Sequence, residues 1–380
     1  MTRHFIAGIV CLAAAAAMAW SIGRTPDILF EKHTLDLGAN ETCAVADINR
    51  DGKLDIISGE NWYEGPRWTK HHFRTISYTE NYIDNFSDLP IDVNGDGAID
   101  VVSCSYFTKE LYWMENPGRG IGEWKKHPVE NGWSVEFVFM VDIDNDGKRH
   151  ELLPQFGQEN APLAWYELKD GAFVRHIVSP RSYGHGIGAG DVNGDGRTDI
   201  LTPKGWFEAP PDPRSGDWKF HPDWNLDSLG FMYVLDVNGD GRNDVVTSFA
   251  HNYGVFWLEH DDGNTWTKHM IDDSWSQAHA MTMVDLNGDG KMDFLTGKRF
   301  MAHNGHDPGE REPLGLYWYE YMKADDGKKI EWVKHVIDYS SRTGSGMQIP
   351  VVDLDGDGDL DFVVAGKSGL YLFENLTHHK

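Results

Sequence analysis

The chain has 380 residues, a formal charge of −26, 15 tryptophans and only three cysteines. So large an acidic excess opposes nucleic acid or an anionic membrane as a partner. Three cysteines over this length do not make a disulfide framework, and beyond the N-terminus no apolar stretch is long enough to span a membrane.

At the N-terminus, Met1-Thr-Arg3-His4 precedes an apolar run from Phe5 to Met18, and Ala17-Met18-Ala19 offers small residues at a cleavage position. This predicts a secretory signal peptide over residues 1–19, with an uncleaved anchor as the alternative. Cys11 lacks the small residue that precedes a lipid-modified cysteine. The protein is therefore expected to be secreted or periplasmic, without membrane attachment after cleavage. Cys43 and Cys104 then remain, read as two buried thiols, with one bridge as the other option.

Next comes a short strand, Leu29-Phe-Glu-Lys32-His33-Thr-Leu35, and then the first copy of an acidic loop, Asp47-Ile-Asn49-Arg-Asp51-Gly52-Lys-Leu-Asp55. Six further copies open at Asp92, Asp142, Asp191, Asp236, Asp285 and Asp353, at intervals of 45, 50, 49, 45, 49 and 68 residues. A period of this size without helical patterning between copies indicates a solenoid or a propeller.

Oxygen ligands at loop positions 1, 3, 5 and 9 suit a hard cation such as calcium, which takes six to eight of them in irregular geometry. The predicted ligand sets are Asp47, Asn49, Asp51 and Asp55; Asp92, Asn94, Asp96 and Asp100; Asp191, Asn193, Asp195 and Asp199; Asp236, Asn238, Asp240 and Asp244; Asp285, Asn287, Asp289 and Asp293; and Asp353, Asp355, Asp357 and Asp361. The third copy supplies Asp142, Asp144 and Asp146. There His150 stands in the ninth position and Glu151 comes one residue late, so this site is expected to be weak or empty. A plain Asn/Asp/Gly turn without an ion is the bland alternative. The flanks are β-type runs rather than helices, so each loop is read as a hairpin turn.

Within each repeat a short strand precedes the loop and a β-branched strand follows it, as in Asp244-Val-Val-Thr247. An aromatic strand such as Trp62-Tyr-Glu64 and a strand such as Trp68-Thr-Lys70-His71 complete the unit. Four short strands per unit predict an all-β fold, a seven-bladed β-propeller with four-stranded antiparallel blades over residues 27–380. The last repeat ends after its third strand, at Leu370–Asn375, so Leu29–Leu35 is expected to close the ring. The recurring Trp, Glu and His of the outer strands are read as packing and cross-strand pairing.

The repeated Asp-x-Asn-x-Asp-Gly-x-x-Asp motif resembles the FG-GAP/VCBS repeat family of calcium-binding β-propellers. That resemblance implies calcium and the propeller fold, and it says little about function, since such propellers serve adhesion, sugar binding and catalysis.

Function is sought where the copies differ. Six residues before each first Asp lies an equivalent slot at the mouth opposite the acidic turns, occupied by Glu41, Phe86, Glu136, His185, Gly230, His279 and Met347. The turn after the second strand returns to that mouth with Asn61, Tyr106, Gln155, Lys204, His251, Arg299 and Lys367. An enlarged loop from about Phe300 to Pro313 adds His303, His306 and Asp307. This ring suits acid–base chemistry or a second divalent metal at the channel mouth. A polar channel lining without function is the alternative.

Tyr183-Gly-His185-Gly-Ile-Gly-Ala-Gly-Asp191, followed by Thr202-Pro-Lys204-Gly-Trp206, resembles the propeller domain of aldos-2-ulose dehydratase-like proteins. That family dehydrates and isomerises oxidised sugars, and its enzymes join the propeller to cupin-type domains. The reading is a carbohydrate-active lyase or dehydratase acting on a carbohydrate or oxidised sugar. His185 or His279 is the base, Tyr183 or the other His the acid, Glu136 orients an imidazole or holds a metal, and Lys204 and Arg299 hold a substrate oxygen or carboxylate. Glu41, Asn61, Tyr106, Gln155, His251 and His303 are expected to contact substrate. A non-catalytic module binding a glycan or a partner protein is the alternative. Gly-x-Ser-x-Gly is absent; paired-carboxylate hydrolysis by Glu41 and Glu136 stays open.

Overall fold

A computed structural model describes residues 26–262, 265–324 and 329–378. The expected signal peptide, with Cys11, lies outside the described residues. Among these, regular structure is almost wholly strand, and the single helical piece is the 3-10 turn Pro213–Ser215.

The first repeat shows how each unit forms. Ala44–Ala46 runs into the acidic turn, Asp55–Ser58 returns antiparallel, Asn61–Glu64 follows, and Thr69–His72 makes the outer edge. Asp55–Ser58 is buried throughout while Thr69–His72 is mostly exposed. A strand covered on both faces reads as a continuous apolar run, and an outer strand does not.

In the turn, the Asp47 carboxylate accepts from the N–H of Asp51 at 3.1 Å and of Gly52 at 2.9 Å. Gly52 takes a φ of 84°, which a glycine adopts without strain. Asp55 lies deeper. Its two oxygens accept from the N–H of Ile48 and of Gly65, both at 2.9 Å, so it ties the turn to the end of the third strand. Asp100, Asp199, Asp244 and Asp361 repeat this double acceptance. In the third repeat, Glu151 accepts from the N–H of Ile143 at 3.0 Å. The extra methylene of Glu makes up for its place one residue late. Burial raises these carboxyls against the pull of their backbone donors, to about 6 at Asp55 and about 7 at Glu151.

The outer strands carry a repeated clasp. The Trp62 ring stacks on His71 with centroids 4.3 Å apart, and His71 Nε2 meets Glu64 Oε2 at 2.8 Å. Trp113, His127 and Glu115 repeat it, as do Trp165, His176 and Glu167, Trp206, His221 and Glu208, Trp257, His269 and Glu259, and Trp318, His335 and Glu320. These residues are pairing groups, as their repetition predicts. Phe30–Asp36 pairs antiparallel with Gly369–Asn375, so the N-terminal strand and the last strand share a sheet. Cys43 and Cys104 are both free and buried.

The arrangement is a β-propeller, but the expected seven four-stranded blades are not found; there are five. Five blades are separate four-stranded sheets; the eight strands of the fourth and fifth repeats form one continuous sheet. Parallel pairing of Ile187–Gly190 with Phe231–Leu235 joins its halves. Glycine is the cause. A Cβ on Gly188 would lie 2.3 Å from the Met232 carbonyl oxygen, and one on Gly190 would lie 2.6 Å from Val234 Cβ. Without side chains the two backbones approach to hydrogen-bonding distance. Gly188→Ala should therefore cost about 1–3 kcal/mol, read from the denaturant midpoint. An unchanged midpoint would show that the glycine is not what joins the halves.

Candidate functional site

The slot six residues before each acidic turn stands at the entry of the first strand. Glu41 precedes Ala44–Ala46, His185 precedes Ile187–Gly190 and His279 precedes Met281–Val284, while Glu136 is the second residue of Val135–Val141. The exits of second strands face the same mouth. There His251 follows Asp244–Ser248, Arg299 follows Asp293–Gly297 and Lys367 follows Asp361–Gly366. Residues far apart in sequence thus meet.

They meet as a chain of alternating charge and imidazole. Lys367 Nζ lies 3.2 Å from Glu41 Oε1, and Arg299 Nε donates to Glu41 Oε2 at 3.1 Å. Arg299 Nη1 donates to Glu136 Oε1 at 3.0 Å, and Glu136 Oε2 faces His185 Nε2 at 3.0 Å. His185 Nε2 and His251 Nε2 are 3.1 Å apart. His251 Nδ1 donates to Asp307 Oδ2 at 2.7 Å, and Asp307 Oδ1 accepts from His303 Nδ1 at 3.0 Å. Arg299 is buried between two buried glutamates, a placement that only mutual pairing makes tolerable.

The tautomers follow from these partners. His185 Nδ1 lies 2.9 Å from the Leu229 carbonyl oxygen, which can only accept, so that nitrogen carries the proton. His251 Nδ1 likewise faces a carboxylate. The two inner Nε2 atoms face each other, and that of His185 also faces Glu136 Oε2. Such a meeting requires a proton or a cation between them. His279 adds a third imidazole; its side chain is 0 % exposed and neither ring nitrogen has a hydrogen-bond partner. One donor atom from each of Glu136, His185, His251 and His279 lies within 4.8 Å of the others. Ring nitrogens pinned from outside by a carbonyl and a carboxylate are the usual support of metal-binding histidines.

The electrostatics agree. Burial, then the neighbouring His185, pushes His251 down to about 3, and burial with the Arg299 charge pushes His279 far below its ordinary value. Both imidazoles are thus neutral. Burial alone would raise Glu136, but His185 and Arg299 outweigh it and hold the carboxyl far below the usual range.

A cavity of about 600 Å³ opens beside this centre, with Tyr106, Glu136, Tyr183, His185, His251 and His303 in its wall. A second, of about 310 Å³, shares Tyr106, Glu136 and His303 with it and is walled by Tyr82, Phe86 and Phe107. Aromatic walls with a few convergent polar groups are the ordinary make-up of a small-molecule site.

Several expected roles change. His279 is out of a substrate's reach, so it cannot be the base. Arg299 pairs with two glutamates, although it also stands in the wall of the smaller cavity. Glu41 is buried between Arg299 and Lys367 and lines neither cavity. The guanidinium between Glu41 and Glu136 also leaves no place for a glycosidic bond, which removes paired-carboxylate hydrolysis by these two. Asn61 sits in its strand opposite Ser58 and His72 and lines neither cavity. Gln155 lines the larger cavity, but its Nε2 donates to the carbonyls of Phe156 and Gly184. The Tyr183 ring lies against Phe207 and Phe220. Lys204 lines the larger cavity, and His303, with its side chain 51 % exposed, lines both. Sequence reasoning missed Arg181, which also lines the larger cavity; its place two residues before Tyr183 was the available signal. It left Asp307 without a role, although the length of its loop marked it.

At the other mouth, the ninth-position acids Asp55, Asp100, Asp199, Asp244, Asp293 and Asp361 are buried, and each accepts from at least one backbone N–H group. Among the described residues, carboxylate oxygens gather within 4.8 Å in two turns, at Asp142, Asp144 and Asp146 and at Asp353, Asp355 and Asp357. The first is the turn expected to be weak, and Arg214 Nη2 lies 2.6 Å from its Asp144.

Arg299→Met leaves Glu41 and Glu136 buried without their shared cation and is expected to cost about 3–5 kcal/mol in chemical denaturation. Wild-type stability in that variant would mean that the glutamates find another partner.

Residues 92–149 and 236–296 match the FG-GAP-like repeat family, each stretch running from one acidic turn into the next. No curated protein matches the chain in sequence. Among solved structures, an Agrocybe aegerita lectin, described for specific recognition of non-reducing terminal N-acetylglucosamine, is 16 % identical. The alignment covers 93 % of this chain and 94 % of that one with a TM-score of 0.45. The chain carries FG-GAP-like repeats in a β-propeller arrangement.

Proposed function

We propose that the mouth opposite the acidic turns is the active centre of a carbohydrate-active lyase or dehydratase. It would remove a proton beside a carbonyl or carboxylate, with a divalent transition metal held by Glu136, His185, His251 and His279. The observation that carries this reading is the convergence of two inward ring nitrogens, one unpartnered imidazole and one carboxylate beside an aromatic-walled cavity. Three imidazoles and a carboxylate form a donor set suited to zinc or a similar ion. When bound, such an ion would polarise a substrate carbonyl oxygen and make the neighbouring C–H more acidic.

The chain's own residues would do the rest. His303 is the base: its Nδ1 is fixed by Asp307, which leaves Nε2 as the acceptor, and the residue lines both cavities. Tyr106 lines both as well, and burial raises its phenol, which keeps it protonated and able to donate to the departing oxygen. Arg299 holds Glu136 ionised and in place. The likeness of the segment around His185 and Lys204 to aldos-2-ulose dehydratase-like proteins supports an oxidised sugar as one substrate class.

The test is to follow the ultraviolet absorbance of unsaturated products over oxidised sugars and uronate oligomers, with metal content measured on the same samples. His303→Gln should lower turnover about a hundredfold or more at unchanged metal content. His251→Gln should lose the metal. Glycan binding without product, and without metal, would favour the non-catalytic binding module instead.

For the acidic turns we propose calcium, held mainly by oxygens at positions 1, 3 and 5. The repetition of the acids supports this, and the gathered oxygens of Asp142, Asp144 and Asp146 and of Asp353, Asp355 and Asp357 fit a hard cation. An ion at a hundred times its Kd adds about 2.7 kcal/mol per independent site, so chelation should lower the melting temperature markedly. A melting temperature indifferent to chelator and to added calcium would reject the assignment. A leader peptide would export the chain to where calcium is plentiful.

A further inference from the structure

We infer that the substrate is an acidic sugar whose carboxylate docks between Arg181 and Lys204; this rests on the lyase reading and names its substrate class. Both cations stand in the wall of the larger cavity with Tyr106, Glu136 and His303. Each is held in place without being neutralised. Lys204 Nζ donates to Asn225 Oδ1 at 2.8 Å and to the Leu226 carbonyl at 2.7 Å, two uncharged acceptors, which leaves its third proton for a ligand. The Arg181 guanidinium lies 5.0 Å over the Tyr183 ring. Its electrostatic neighbours are the Tyr183 hydroxyl and Glu159, which also lines the cavity.

The contrast with the rest of the chain gives this weight. In a protein of net charge −26, many of the well-held cations elsewhere are paired with carboxylates. Arg74 pairs with Asp88, Arg214 with Glu167, Arg242 with Asp240, and Arg299 with two glutamates. Two positioned cations without such a partner, in one concave wall, form an anion site in an otherwise acidic field. A sulfate ester would meet the same charge, yet it would not acidify a neighbouring C–H. A carboxylate does, because the carbanion formed beside it is delocalised onto its oxygens, and the two cations would stabilise that charge.

The step balances as an elimination. The proton on the carbon beside the carboxylate passes to His303 Nε2. The electron pair it leaves becomes the ring double bond. The carbon–oxygen bond on the next carbon breaks, and its oxygen departs with the proton of Tyr106. Nothing is oxidised or reduced overall.

The test is calorimetric titration of the full chain with trisaccharides of galacturonate, glucuronate, mannuronate and guluronate, each beside its neutral methyl ester. At least one acid should bind about tenfold more tightly than its ester, as one charged hydrogen bond supplies. Arg181→Gln and Lys204→Gln should each remove most of that preference while leaving affinity for the ester unchanged. Equal affinity for every acid and its ester, or a preference that survives both substitutions, overturns the proposal. Absorbance of unsaturated product, followed in the same mixtures, separates the two readings. Acid-selective binding without product in any mixture rejects the lyase and keeps the docking site. Product from a neutral keto-sugar, with no acid preferred, keeps the lyase and rejects acid docking.

Discussion

A buried carboxylate that accepts two backbone N–H groups stands at the head of the second strand in most units. It closes the acidic turn on one side and holds the start of the next connection on the other. Without it, two amides such as those of Ile48 and Gly65 would be buried with no acceptor, at a cost of about 1–3 kcal/mol each. The charge is tolerable because fixed dipoles replace its water, although burial still lifts these acids toward neutrality. Where the third repeat lacks the Asp, the longer Glu151 reaches back to the same amide.

That repeated anchor makes one face of the propeller nearly identical from unit to unit and leaves the other face free to differ. The Trp–His–Glu clasp does the same for the outer edges, with stacked rings about 4 Å apart in unit after unit. Neither device constrains the entry of the first strand. Charged side chains collect there, and they are tolerated because each meets its opposite: Lys367, Glu41, Arg299 and Glu136 alternate in sign through the interior. The alternation ends at one place, between His185 and His251, where two ring nitrogens meet. The chemistry of the site follows from that one contact and from the aromatic cavities beside it.

Much of this was legible in the chain. The spacing of the Asp residues places the turns, the β-branched and aromatic runs place the strands, and the slot six residues before each first Asp identifies Glu41, Glu136, His185 and His279 as neighbours. The recurrence of Trp62 and His71 marked them correctly as packing groups. Other features were not legible. Gly188 and Gly190 look like a loose strand, and only the distance to Met232 and Val234 reveals that they fuse two sheets. Arg299 looks like a substrate clamp, and only its burial between two glutamates reveals a structural cation.

Sequence alone determined the repeat, the order of strands and which side chains share a mouth, because a periodic pattern encodes height along a strand and direction around an axis. Tertiary structure alone decided which charge neutralises which. Glu41 and Arg299 are 258 residues apart, and Glu136 and Arg299 are 163 apart. Pairing across a central channel depends on side-chain reach and on local curvature of the sheets, and neither leaves a mark in the spacing of residues.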